Sequence, residues 1–200
     1  MRPFLFSHRK ATQVLNFFAR QNGGEINKLK ALKLVYFADR HHLRRYGRPI
    51  TNDRYVAMTY GPVPSACKDL AEMSDFLGDE EREYASPFLE TVDAHTFASK
   101  REPDILVLSE SDLESLRFAW DTYQGWDKFK LAEHTHCFPE WRCHEAELAS
   151  PTTSRVDMNY VDFLENPGPG VDVLPPLPEE MQADLREELG ELNTIESLWR

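Results

Sequence analysis

The sequence predicts an α+β fold that is mostly α-helical: a compact helical domain with a small antiparallel sheet, then a Pro/Gly linker and a C-terminal amphipathic helix. Three observations predict it. Apolar residues recur at helical spacing along much of the chain, and only a few short runs have strand character. The composition then breaks at Asn166-Pro167-Gly168-Pro169-Gly170 and Pro175-Pro176-Leu177-Pro178, a stiff, extended linker type. The boundaries that follow are a domain over 1–165, a linker over 166–178 and a helix over 179–200.

The densest helical pattern runs from Asn27 to Gly47. Ile26, Leu29, Leu32, Val35, Tyr36 and Leu43 share a face that Leu34, Phe37 and Ala38 widen, so this helix is expected at the centre of the core. Asn27 suits its N-cap, and Gly47 before Pro49 is a stop signal. Ahead of it, Ser7 caps a helix with Ala11, Val14, Leu15 and Phe18 on one face, ended by Asn22-Gly23-Gly24. The short turn predicts that the two helices pack as an antiparallel pair.

Tyr55–Thr59 reads as a strand, and Tyr60-Gly61-Pro62-Val63-Pro64 as a rigid turn, because residues before proline favour extended backbone. A third helix starts at Pro64, carries Ala66, Leu70, Met73 and Leu77 in one stripe, and stops at Gly78. Asp79–Glu83 reads as a solvated acidic loop. Phe88–Val92 and His95–Ser99 read as two strands that join Arg54–Thr59 in one sheet lying on the helices. Ser109 with Asp112 is a capping box for a helix carrying Leu113, Leu116, Trp120 and Tyr123, which Gly125 breaks. Short helices follow around Phe129–His134 and after Trp141, and Asn159 caps a turn or two up to Glu165. The last helix, Glu179–Leu198, carries Met181, Leu185, Leu189, Leu192, Ile195 and, beyond it, Trp199 in one stripe.

Composition limits the function. A hydrophobic fraction of 41% supports a real core, and a net charge of −11 argues against nucleic acid as the main partner. A DNA-binding autorepressor is disfavoured by the same charge and by the lack of a basic recognition helix. No run is long and apolar enough for a membrane span, and the N-terminus lacks a signal-peptide pattern, so the cytosol is the expected compartment. Three cysteines give no disulfide framework.

Several residues are candidates for chemistry or contact. His134, His136, Cys137, Cys143 and His144 are the sharpest cluster for a metal- or thiol-dependent enzyme. Adjacent pairs chelate one ion poorly and no paired Cys spacing exists, so no cofactor and no metal are expected. The alternative is a buried His136 with Cys137 and Cys143 filling core space. Asp39, inside the central helix, is either a contact residue or a hydrogen-bonded structural acid. Arg40, Arg44, Arg45 and Arg48 form a basic patch, either for a partner or for pairing with the acidic stretch at Asp79–Glu83. Tyr60 and Pro62 sit in a pre-ordered turn that would lose little entropy on binding. Met181, Leu185 and Leu192 belong to a stripe that docks in cis, self-associates or captures a partner.

The order and spacing of several pieces carry a resemblance. Lys30–Ile50 (KALKLVYFADRHHLRRYGRPI) is followed by a strand, the YGPVP turn, Lys100–Asp104, Leu108–Leu113, and Leu131–His136 with Trp141. Over roughly residues 8 to 165 the chain resembles the Panacea domain of SocA-like antitoxins. That resemblance implies a non-enzymatic protein that neutralises a co-encoded toxin by direct contact, with an adaptor that delivers its toxin to a protease as the alternative. It marks Tyr36, Gly61, Thr135, His136 and Trp141 as structural motif positions. It leaves the toxin and the oligomeric state open.

Overall fold

The nineteen-residue helix Lys28–Tyr46 (α2) is the axis of the fold, and Lys28, Lys33, Asp39, Arg40 and Arg44 are buried along with most of its apolar residues. The structure, a computed structural model, describes residues 5–198, with side chains as far as Glu191. Asn27 caps α2 by accepting from the Leu29 and Lys30 N–H groups, and Gly47 ends it at φ 71, in the left-handed region where glycine is at ease. The helix His8–Gln21 (α1), capped by Ser7, packs beside it.

The link between α1 and α2 is not a bare turn. Glu25–Asn27 (β1) is a strand that pairs with Thr96–Ser99 (β5), which pairs in turn with Leu89–Thr91 (β4). Both pairings are antiparallel. The single sheet expected from the sequence is instead two three-stranded sheets. In the second, Tyr55–Met58 (β2) lies between Gly61–Pro64 (β3) and Val156–Asp157 (β6). The expected YGPVP turn is thus largely a strand. Pro62 and Pro64 pair across from Ala57 and Tyr55 on a sheet edge, where a missing N–H is tolerated.

Helix Ser65–Glu72 (α3) ends at Met73, whose φ of 48 stops it before the expected Gly78. Its cap comes from outside: Asp53 accepts from the Ala66 and Cys67 N–H groups at 2.9 and 2.7 Å. The expected acidic loop is a helix, Asp79–Ala85 (α4), with Asp79, Glu80 and Glu81 in its first turn, where the helix dipole favours anions. Helix Glu110–Tyr123 (α5) opens with the expected Ser109/Asp112 capping box and packs along α2. Lys128–Thr135 (α6), Pro139–Arg142 (α7) and Glu145–Leu148 (α8) follow. Tyr160–Leu164 forms a 3-10 segment capped by Asn159.

The last helix, Glu179–Leu198 (α9), folds back onto the rest of the chain. Leu189 is 1% exposed, Leu185 is partly buried against the core, and Glu188 and Leu185 lie over Gly47 at the end of α2. Segment 166–178 does not stand off as an extended linker. Asn166 accepts from the Leu177 N–H and from Arg44, and Asp172 pairs with Arg40. The places of the Leu192, Ile195 and Trp199 side chains lie outside the described residues.

Candidate functional site

Four of the contact candidates, Asp39, Arg40, Arg44 and Pro62, are buried; for Asp39 this is the hydrogen-bonded structural acid of its two readings, and for the other three it corrects the contact reading. Asp39 is 1% exposed and accepts from the Ile50 and Thr51 N–H groups, the Thr51 hydroxyl and the Tyr55 hydroxyl, at 2.6–3.1 Å. Burial pushes its carboxyl pKa up, and those bonds pull it back. Asp39 thus ties α2 to the loop ahead of β2. Arg40 donates to Glu140 at 2.7 Å, pairs with Asp172, and stands over the Phe138 ring at 4.4 Å. Burial pulls its pKa down, but the Glu140 carboxylate and its neighbours more than offset this, so Arg40 stays charged. The Tyr36 hydroxyl donates to the same Glu140 oxygen at 2.6 Å.

Arg44 spends its guanidinium on the carbonyls of Phe163, Leu164 and Glu165 and on Asn166. Pro62 is buried within the hairpin. The basic patch therefore divides. Arg40 and Arg44 point inward, while Arg45 is exposed and pairs with Glu114 at 3.2 Å. Arg48 reaches Asp112 at 3.3 Å, where Lys10 and His42 also converge. None of these partners belongs to the acidic stretch at Asp79–Glu83.

The motif positions form one packed unit around the β2–β3 hairpin. Gly61 has φ 88, and a Cβ there would collide with the Thr135 hydroxyl, so α6 can approach β3 only over a glycine. Thr135 is fully buried and donates to the Ala132 carbonyl at 2.6 Å. Trp141 donates its indole N–H to the Met58 carbonyl at 3.0 Å, and His136 stacks on the Trp141 ring at 3.8 Å. Below them Tyr36 is fully buried among Phe37, Tyr55, Phe138 and Phe163. This frame holds Tyr60 at the hairpin tip, 58% exposed. Among the described residues, Arg45 and Met181 are, with Tyr60, the expected contact residues that face solvent.

The His/Cys cluster does not assemble as one site. His134 is enclosed by the rings of Phe37, Tyr123, Trp126 and Phe138. Cys137 and Cys143 are exposed, not core-filling. Among the described residues, the group able to hold a metal is Cys143, His144 and Asp162, whose ligand atoms lie within 4.8 Å of one another. Its acid comes from the Tyr160–Leu164 segment, so no His/Cys spacing in the sequence signals it.

Sequence reasoning also missed Lys33 and Glu140. Lys33 is fully buried on α2, donates to the Pro62 carbonyl at 2.7 Å, and is pushed by burial from a pKa of 10.5 to about 7. Glu140, fully buried beside Trp141, is the counter-charge of Arg40. A lysine and an arginine within an apolar helix were the available signal, since buried charges need partners.

Among the described residues no helix is long and apolar enough to cross a membrane. Neither the curated proteins nor the solved structures contain a match to the chain. The family model described as "Antitoxin SocA-like, Panacea domain" matches residues 32–142. That span runs from α2 through the hairpin, α5 and α6 to α7, and so contains Tyr36, Gly61, Thr135, His136 and Trp141. The chain belongs to the SocA-like antitoxin family and carries its Panacea domain.

Proposed function

We propose that this protein is a non-catalytic, cytoplasmic antitoxin that neutralises a co-encoded toxin by direct protein–protein contact. The observation that carries this reading is the family match over residues 32–142. The geometry supports it by offering a rigid contact point. The hairpin tip bearing Tyr60 is pinned by the Gly61–Thr135 approach and the Trp141–Met58 hydrogen bond. A pre-ordered tip loses little conformational entropy on association, and tyrosine is among the residues that carry most energy at interfaces. Arg45 and Met181 are the further contact candidates. The docking of α9 onto its own chain favours contact through the hairpin over capture by a free arm.

Co-expression with the protein encoded by the neighbouring reading frame tests this. The full chain is expected to restore growth and to co-purify with that toxin. Tyr60→Asp is expected to lose both while keeping its circular dichroism and melting temperature. Full protection by Tyr60→Asp would overturn the hairpin as the contact. A neighbour that is harmless when expressed alone would overturn the antitoxin reading itself.

A further inference from the structure

Cys143 ends α7, His144 precedes α8, and Asp162 lies in the 3-10 segment that packs against α7. The junction between two short helices lets neighbouring residues turn towards the same acid. The Cys143 sulfur, a His144 ring nitrogen and an Asp162 carboxylate oxygen all lie within 4.8 Å of one another. A tetrahedral ion with bonds of about 2.0–2.3 Å holds its ligand atoms roughly 3.3–3.8 Å apart, so side-chain movements of about 1 Å close the site.

A further observation points to a ligand. His144 Nε2 is buried and has no hydrogen-bond partner. An unpaired imidazole nitrogen is a donor atom that gains from a cation.

We propose that Cys143, His144 and Asp162 bind a divalent ion of the zinc class, with solvent completing the coordination. One sulfur, one nitrogen and one oxygen suit a borderline-soft ion, whereas magnesium and calcium call for all-oxygen shells. On binding, the Cys143 thiol releases its proton to solvent. Thiolate and carboxylate then neutralise the ion, which ties α7 and α8 to the 3-10 segment. All three residues lie outside the family-matched span, residues 32–142.

The test is titration of the chelator-treated full chain with cobalt(II), followed by zinc. The expected result is a near-ultraviolet thiolate-to-cobalt band that saturates at one equivalent and is bleached by zinc. Cys143→Ser should remove the band, and Cys137→Ser should leave it intact. His144→Ala and Asp162→Asn should each weaken cobalt binding by about tenfold or more, no less than the loss of an outer-shell partner costs. Zinc should raise the melting temperature of the wild type and not that of Cys143→Ser. No band, a band that survives Cys143→Ser, or unchanged affinity in both His144→Ala and Asp162→Asn would overturn the proposal.

Discussion

Helices α2 and α9 carry similar apolar stripes in the sequence and meet different fates in the structure. Along α2 the burial extends to Lys33, Asp39, Arg40, His42 and Arg44, and each of these groups has a partner supplied by another part of the chain. Along α9 burial reaches Gln182 and Leu189, Leu185 is partly covered, and Met181 stays 48% exposed. An apolar stripe shows which face turns inward. How completely a helix is enclosed depends on whether neighbours can satisfy the polar groups on its other faces. Glu140, Asp172, the Pro62 carbonyl and the carbonyls of Phe163–Glu165 do this for α2.

The sharpest way to break this contrast is Arg40→Ala. It leaves Glu140 and Asp172 without their cation in a buried site, and breaking such a pair costs about 3–5 kcal/mol. Chemical denaturation should show that loss; a loss below about 1 kcal/mol would mean that water reaches these carboxylates. Leu189→Ala probes the α9 side. A buried leucine truncated in a core costs about 2–5 kcal/mol, and a helix docked on one face should sit at the low end of that range. An unchanged denaturation midpoint would instead free α9 from its docking and restore the capture of a partner by this arm.

Lys33 sharpens the contrast through pH. Its folded pKa, about 7, lies below the ordinary 10.5 because of burial. Between those values the unfolded chain binds a proton that the folded chain lacks, so stability rises with pH. Below about pH 7 both states are protonated and this slope vanishes. Relative to Lys33→Met, the wild type should gain up to about 1.4 kcal/mol per pH unit between pH 7 and 9, measured by denaturant titration. A flat difference would show that Lys33 keeps its charge in the folded state. The smallest effect is expected on the exposed edge of α9, where Met181→Ser should change stability by no more than about 0.5 kcal/mol.

The candidate site was legible in pieces. Gly61, Thr135, His136 and Trp141 stood out as motif positions, but their meeting did not, because Gly61 and Thr135 are far apart in the chain and touch only once α6 packs on β3. Pro62 looked exposed because a proline-rich stretch suggests a turn, yet an edge strand tolerates prolines whose missing N–H faces away from the ladder. The acidic stretch Asp79–Glu83 looked like a loop because its charge hides a helical start that those charges favour.

Local interactions were determined by the sequence itself. The caps at Ser7, Asn27, Ser109 and Asn159, the stop at Gly47, and the faces of α1, α2 and α5 all arise within a turn or two of backbone, where residue type alone selects the geometry. The tertiary structure decided which charges are partners and how the strands divide. Arg40 and Glu140 meet across 100 residues, and β5 pairs with β1 from the α1–α2 connection rather than joining β2. Neither choice carries a local energy signal, because its free energy arises only when distant groups lose water together and must satisfy one another.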